Sequence, residues 1–146
     1  MGASESAAGP HPALVELLAA VPFAAELGIV LEEAAPEGVA GTLGWRAELC
    51  TLGGTLHGGA LMTLADSVGA ICAFLNLPAG AGTSTVESKT NLFRPVRSGT
   101  VRAAARPLNV GRSLIVVQTD LTDDRGKPVA QTTQTQFVLR ADKADA

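Results

Sequence analysis

The sequence predicts an α+β domain in which a six-stranded antiparallel sheet wraps around one long helix. One stretch of helical character, residues 58–77, lies in the middle of the chain. Two strand-like runs precede that stretch, and four strand-like runs joined by short turns follow it. An antiparallel sheet usually buries one face, and a helix of about 20 residues, roughly 30 Å long, is sufficient to cover that face.

The composition is typical of one globular domain. The chain has 146 residues, of which 47% are hydrophobic and 17% charged, so it has ample material for a core. A net charge of −3 and only 3% aromatic residues argue against nucleic-acid binding. Cys50 and Cys72 have no metal-ligand spacing, and no basic segment followed by an apolar run opens the chain. We therefore expect a cytoplasmic protein with reduced thiols and no membrane association.

The segments before the long helix are predicted from their proline and turn residues and from the spacing of their apolar residues. Residues 1–11 are rich in Ala, Ser, Gly and Pro and indicate a flexible tail. Pro12 is predicted to open a short helix, because apolar residues recur after it at helical spacing, and Pro22 is predicted to end that helix. Two strands and a loop follow, as a strand over 27–34, a turn over 36–38, a strand over 39–45 and a loop over 46–56.

The segments after the long helix are predicted to be strands. Asn76 and Pro78 indicate the end of the helix. The four strand-like runs cover residues 83–94, 100–108, 113–121 and 129–139. Residues 141–146 indicate a polar tail, so the single domain is predicted to span 12–140. The third run is apolar on both faces over 114–117, which favours an oligomer that covers or extends the sheet.

Asp66 is the most unusual residue of the predicted helix. It is the only charged residue between Glu48 and Glu87, and an isolated carboxylate is costly to bury. Its neighbours on that side of the helix include the small residues Gly69 and Ala70, which leave room for another subunit or a ligand. The alternative is a solvated residue on an exposed helix face, and the lack of any other charge on the helix argues against it.

The helix begins after His57-Gly58-Gly59. The amides of a first helical turn have no intrahelical partners and lie at the positive end of the helix dipole. They are therefore suited to bind an oxyanion or to polarise a carbonyl group, although a plain loop and cap is the alternative. Asp66 lies more than two turns further along, so it would reach such a carbonyl group more easily from a second subunit. There it could act as a nucleophile or activate water.

Several short motifs occur in a characteristic order. They are His57-Gly58-Gly59, Leu64-Ala65-Asp66, Asn91-Leu92-Phe93-Arg94-Pro95-Val96, Gly111-Arg112, and Asp123 with Gly126, Val129 and Ala130. In this order the motifs resemble the hotdog-fold acyl-CoA thioesterases of the PaaI, or phenylacetate-degradation, type. The chain is also similar to the 4-hydroxybenzoyl-CoA thioesterases, which carry Glu at the position of Asp66. The resemblance covers about residues 22–140.

The resemblance implies hydrolysis of an acyl- or aryl-CoA thioester to a free acid and coenzyme A, without a metal or cofactor. It also implies homodimers with one continuous sheet, usually assembled into tetramers, with active sites at the subunit interface. By position, the resemblance implies that Asp66 is the catalytic carboxylate, that Gly58 is the oxyanion N–H donor with Gly59 beside it, and that His57 orients the loop or the thioester. Asp66 is then expected to act on a substrate held by the partner subunit's Gly58.

The resemblance further implies coenzyme A contacts at strand ends. The matching positions are Thr85, Leu92, Phe93, Arg94, Pro95, Asn109, Val110, Gly111, Arg112 and Ser113. Arg94 and Arg112 are candidate phosphate partners, because a guanidinium group makes bidentate contacts with phosphate. Ordinary surface charges are the alternative for both.

Two positions depart from the family pattern. Thr51 stands where relatives often have an Asn or Gln that places the attacking group or water, and Ala70 stands where some have Ser or Thr. These departures motivate a second hypothesis, a non-catalytic acyl-CoA-binding or assembly protein of the same fold. A hotdog dehydratase is a third, but it requires a catalytic His and an acid in an arrangement that the sequence does not contain.

Overall fold

The computed structural model describes residues 11–141. The predicted tails fall largely on residues 1–10 and 142–146 and therefore lie outside the described residues. His11 was predicted to belong to the first tail, but it caps the first helix instead, since its Nδ1 accepts a hydrogen bond from the N–H of Ala13 at 3.2 Å.

Two short helices open the described chain, where the sequence predicted one. Helix α1 covers Pro12–Ala19 and helix α2 covers Pro22–Leu27. Pro22 was predicted to end a helix, and the prediction was wrong in that Pro22 begins the second one, where its missing N–H costs nothing. Gly28 ends α2 with a φ of 85°, the left-handed conformation that glycine adopts readily. The strand predicted from residue 27 therefore begins only at Val30.

Six strands form one antiparallel sheet, which confirms the predicted fold class. The strands are β1 (Val30–Ala35), β2 (Gly38–Gly44), β3 (Gly82–Leu92), β4 (Thr100–Val110), β5 (Leu114–Thr122) and β6 (Pro128–Leu139). Their order across the sheet is β1-β2-β4-β5-β6-β3. Strand β3 follows the long helix in sequence but lies at the far edge beside β6, and most of its residues are exposed. Its outer edge thus presents backbone groups that are free to pair with another chain.

Helix α3 covers Gly58–Phe74 and packs against all six strands. It ends three residues earlier than predicted, where the Asn76 side chain donates to the carbonyl oxygen of Cys72 at 2.8 Å. The side of the helix predicted to be apolar is buried, namely Leu61, Leu64, Ala65, Val68 and Cys72. The loop predicted over 46–56 contains a short 3-10 helix, Ala47–Leu49, and an isolated bridge before His57.

The outer face of the sheet is partly apolar, as the sequence predicted for residues 114–117. Leu114 and Val116 lie on this face where β5 begins, and Phe137 and Leu139 lie on it where β6 ends. Further along the outer face, Gln118 donates to the Asp120 carboxylate at 3.4 Å.

Cys72 is a buried free thiol, and burial raises its pKa to about 11. Within residues 11–141, no helix has the length and apolar character needed to cross a membrane.

Candidate active site

His57 fixes the start of α3. It is the N-cap residue, and its Nδ1 accepts a hydrogen bond from the N–H of Gly59 at 2.8 Å. Its carbonyl oxygen accepts from the N–H groups of Ala60 and Leu61, at 2.9 and 3.3 Å. Because Nδ1 is an acceptor here, the neutral imidazole carries its proton on Nε2 and can donate from that atom. The predicted role of His57 in ordering the loop thus has a definite geometry.

The free amide at this helix start belongs to Gly58. The Gly59 N–H is occupied by His57, whereas no acceptor among residues 11–141 pairs with the Gly58 N–H. An added Cβ at position 58 would lie 2.9 Å from Cδ1 of Leu92, the end of an exposed side chain that can move aside. Of the two predicted oxyanion amides, only that of Gly58 is therefore available.

Gly58 shares a cavity of about 230 Å³ with the end of β3. The cavity is lined by Thr55, Leu56, Gly58, Leu61, Leu92, Phe93, Arg94 and Pro95. The structure thus brings the predicted oxyanion donor together with four of the predicted substrate contacts, residues 92–95.

A more polar cavity of about 380 Å³ adjoins the first, and Arg94 and Pro95 border both. Its cationic residues are Arg94, Arg97, Arg125 and Lys127, and Asp123 and Asp124 also line it. The Lys127 N–H donates to Asp123 and, with Arg94 nearby, holds the pKa of that carboxyl group below its usual range. Asp123 and Asp124 offset part of the positive charge, but the four cations outnumber the two carboxylates, so the cavity remains suited to phosphate groups.

Asp66 lies on the side of α3 that faces a groove of about 520 Å³. The groove is lined by Val21, Phe23, Gly59, Met62, Thr63, Asp66, Ser67, Thr85 and Ser88. Thr85, a predicted substrate contact, therefore lies beside the predicted catalytic carboxylate.

Two side chains from the sheet contact the Asp66 carboxylate. The Gln134 amide donates from Nε2 to Oδ1 at 3.2 Å, and Thr85 makes a weaker contact. Desolvation by the surrounding protein raises the pKa of Asp66, and the two donors oppose that rise without cancelling it. The residue is exposed on the single chain, so the desolvation is partial. The carboxyl group thus becomes a better proton acceptor than an ordinary surface aspartate.

An apolar cavity of about 270 Å³ lies further along α3. This second cavity is lined by Leu17, Ala20, Val21, Ala70, Ile71, Phe74 and Thr83. Val21 borders both spaces, and Ala70 lies one helical turn beyond Asp66. Because position 70 is alanine, the helix places no polar side chain at this position between the carboxylate and the apolar cavity.

Two groups of predicted site residues lie elsewhere. Thr51 is in an exposed turn, its N–H donating to the carbonyl oxygen of Thr55 at 2.8 Å, and it lines none of the cavities above. The hairpin 109–113 lies at the opposite end of the sheet from residues 92–95. It neighbours the end of β6, because Leu114 pairs with Phe137, whereas Leu92 pairs with Ala130. Seven residues of strand, roughly 24 Å, separate these two levels.

Gln134 is a site residue that the sequence did not single out. It lies 68 positions from Asp66, and only the register of β6 under α3 brings the two together. The available signal was the series of Gln and Thr residues along β6, which interrupts its expected apolar face. Thr63 was also missed; its hydroxyl donates to the carbonyl oxygen of Gly59 at 2.8 Å and so stabilises the first turn of α3.

The sequence matches the Thioesterase superfamily over residues 53–130, more than half of the 146 residues. The chain therefore belongs to this superfamily, has the hotdog fold and is a thioester hydrolase. The family resemblance found in the sequence is confirmed at this level, and the closer PaaI-type assignment stays a prediction.

Individual relatives agree with this membership. A predicted esterase of Mycobacterium tuberculosis is 35% identical over 114 residues, covering 76% of this chain and 81% of that protein. Its solved structure has a TM-score of 0.80 at 32% identity and covers 84% of this chain and 99% of that one. The 1,4-dihydroxy-2-naphthoyl-CoA hydrolase of Escherichia coli is 31% identical over 86 residues, covering 59% and 63%. A thioesterase variant from Pseudomonas aeruginosa has a TM-score of 0.83 at 29% identity, covering 92% and 98%.

Proposed function

We propose that this thioester hydrolase acts on acyl-CoA thioesters, with Asp66 as base or nucleophile and the Gly58 amide as oxyanion donor. The observation that carries the proposal is the Asp66 carboxylate, which accepts a hydrogen bond from Gln134 in a groove that has an apolar cavity beside it. The unpaired Gly58 amide supplies the second component of a hydrolytic site. The similarity to a CoA-thioester hydrolase of Escherichia coli supports the choice of substrate class.

In the proposed reaction, the Gly58 N–H donates to the thioester carbonyl oxygen and stabilises the negative charge that develops there. Asp66 either takes a proton from an attacking water or attacks the carbonyl carbon itself. In both cases the C–S bond breaks and coenzyme A leaves as a thiolate, which takes a proton from protonated Asp66 in the first case and from water in the second. Water supplies the oxygen of the free acid, directly in the first case and by hydrolysis of the acyl–Asp66 anhydride in the second.

The two components belong, in this proposal, to different subunits. Along one helix, the eight residues from Gly58 to Asp66 span about 12 Å. Asp66 borders Thr85, near the beginning of β3, whereas Gly58 packs against Leu92, where β3 ends. Antiparallel pairing of two β3 edges would lay the beginning of one strand beside the end of the other. Asp66 would then approach the partner subunit's Gly58.

The same pairing accounts for the two separated groups of predicted coenzyme A contacts. Residues 92–95 lie at one end of the sheet and residues 109–113 at the other. Across a dimer related by the β3 edge, the first group of one chain approaches the second group of its partner. The cations around Arg94 then serve the phosphate groups of coenzyme A, with Arg112 as a further contribution. Dimers, and tetramers built from them, are therefore part of the proposal.

The non-catalytic alternative rested on Thr51 and Ala70. Neither position is required by the proposed chemistry, since Thr51 lies outside the cavities and Ala70 borders the apolar one. Membership of a family of thioesterases further favours hydrolysis over binding alone.

The test is turnover of a panel of acyl-CoAs by Asp66→Asn and Asp66→Ala, measured by release of the free thiol. We expect both variants to lose at least about 100-fold in kcat while folding normally. Asp120→Asn is the matched control, because Asp120 also accepts a glutamine amide, that of Gln131 at 2.9 Å, but lies on the outer face of the sheet. Near wild-type turnover by both Asp66 variants would contradict the proposal.

A further inference from the structure

Burial of the Gln134 side chain in the core of this small domain is energetically unfavourable. This side chain is on the inner face of β6 and has 0% exposure. Its Nε2 donates to the Asp66 carboxylate at 3.2 Å, whereas its Oε1 is buried without a partner among the described residues. A buried amide with one unpaired end costs free energy that an apolar side chain would not.

The next inward-facing residue of β6, Gln136, has a different arrangement. Its Nε2 donates to the Thr85 hydroxyl at 2.7 Å, and its Oε1 accepts from the Thr83 hydroxyl at 3.0 Å. Both ends of that amide are therefore satisfied within the sheet. Gln134 makes one hydrogen bond, and that bond is to Asp66, so its contribution to the sheet itself does not explain its presence.

Helix α3 also has a glycine at the position where it meets Gln134. Gly69 lies in the interior of α3, where glycine is less favourable than alanine because it loses more backbone freedom. A Cβ at this position would overlap the Gln134 amide oxygen and lie 2.8 Å from its Cδ. The buried side-chain atoms without partners in the described core, Gln134 Oε1 and Thr119 Oγ1, both border this glycine. The small residue Gly69 was expected to leave space for a ligand or a subunit, but Gln134 fills that space.

We propose that Gln134 is a positioning residue for the reaction: its amide N–H holds Oδ1 of Asp66 so that Oδ2 faces the substrate, and Gly69 is the gap that lets the amide reach the carboxylate. The inference rests on the proposed function of Asp66. It accounts for two unfavourable features of the core, an unpaired amide oxygen and a mid-helix glycine, by one contact. A carboxylate held in one orientation meets its substrate without first losing side-chain freedom.

The amide also selects the protonation state of Asp66. A donor to a carboxylate favours the ionised form, which is the form that acts as base or nucleophile. Removing the donor while leaving Asp66 partly desolvated raises the pKa of that carboxyl group further. The acidic limb of the pH profile of kcat/KM must then move to higher pH.

The experiment compares Gln134→Leu, Gly69→Ala and Thr132→Val with the wild-type enzyme, using the best acyl-CoA of the panel. Leucine keeps most of the volume and removes the amide; alanine at position 69 keeps Gln134 but displaces it. Thr132 is the control, because it is a buried polar residue on the same face of β6 whose hydroxyl pairs with that of Thr90 at 2.7 Å, away from Asp66. We expect Gln134→Leu and Gly69→Ala each to lower kcat about tenfold, with KM little changed and the acidic limb at higher pH.

The outcomes separate this inference from the proposed function. If Asp66→Asn abolishes turnover but Gln134→Leu keeps the wild-type kcat and pH profile, the positioning role is wrong and the proposed function stands. If Asp66→Asn remains active, the proposed function itself fails. An equal loss of kcat and an equal shift of the acidic limb in Thr132→Val would also overturn the inference, because general damage to the core would then explain the effect. Should Gln134→Leu not fold, Gly69→Ala decides the question by the same two readouts.

Discussion

Asp66 is held between opposing influences. Surrounding protein atoms destabilise its charge, while Gln134 and Thr85 stabilise it, and the first influence prevails. A carboxylate kept ionised under these conditions is a better base than a fully hydrated one, but it costs the folded state some stability. Catalytic competence and folding stability are therefore expected to oppose each other at this residue.

That opposition can be measured with Asp66→Asn. Because folding raises the pKa of Asp66, the stability of the wild-type protein should fall as the pH rises from below the unfolded-state value through the folded-state value. The asparagine variant lacks this loss, so we expect it to be more stable than the wild type at pH 8 and equal to it at pH 3. Solvent screening of an exposed residue limits the gain to less than about 1 kcal/mol. Urea unfolding at both pH values measures it, and a variant less stable at pH 8 would contradict the sign.

The amide of Gly58 can be removed without changing the helix start. Proline is favoured at the first helical position, and His57 before it already has φ −60° and ψ 135°, which a following proline permits. We expect Gly58→Pro to lower kcat by about 100-fold or more, as for loss of an oxyanion donor. Gly58→Ala keeps the N–H and meets the same movable Leu92 side chain, so it should remain within several-fold of the wild type. Equal activity of the two variants would exclude the amide from the reaction.

The sequence identified Asp66 and the helix start because both are local features, an isolated charge and a His-Gly-Gly cap. Gln134 could not be found in this way, since its meaning depends on the register between β6 and α3. The sequence also could not show which of the two backbone amides, that of Gly58 or that of Gly59, is free. The rotamer of His57 determines this, because its Nδ1 accepts from the Gly59 N–H and leaves the Gly58 N–H free.

At the scale of elements, α3 carries both components of the proposed active site, Gly58 and Asp66, and one wall of the apolar cavity. The helix and the six strands were predictable from periodicity and turn residues, with boundaries shifted by a few positions. Helix α2 was not, because Pro22 signals a helix start as well as a helix end, and only packing distinguishes the two. The error matters for function, since Phe23 of that helix lines the groove that contains Asp66.

The apolar cavity predicts how acyl-chain length is selected. If the acyl group runs from Asp66 past Ala70 into the apolar cavity, then the Ala70→Phe side chain should fill the space that the acyl chain occupies beside position 70. We expect turnover of long-chain acyl-CoAs to fall about tenfold or more relative to short-chain ones, because the longer chains lose their apolar contacts. Ala13→Phe on the exposed surface of α1 is the control and should leave the chain-length profile unchanged. A uniform loss across all chain lengths in Ala70→Phe would contradict this path.

At the scale of the whole molecule, the sheet has two edges with different expected roles. Val86 is 60% exposed on the β3 edge, where we expect the partner to pair, and Val30 is 46% exposed on the β1 edge. A charge at the paired edge faces its own copy or becomes desolvated, so Val86→Asp should shift the protein toward monomers and lose most turnover. Val30→Asp should keep both. Light scattering after size-exclusion chromatography gives the mass, and a dimeric, active Val86→Asp would place the interface elsewhere.

The central claim is that each active site combines Asp66 of one chain with the Gly58 amide of another, and a mixed dimer tests it most directly. Gly58→Pro and Asp66→Asn chains carrying different tags would be co-expressed, the mixed dimer purified through both tags, and its thioesterase activity measured. In a shared site, one of the two sites regains both Asp66 and the Gly58 amide, so the mixed dimer should show about half of the wild-type activity. If every site lay within one chain, each would lack one component, and a mixed dimer as inactive as its two parents would contradict the claim.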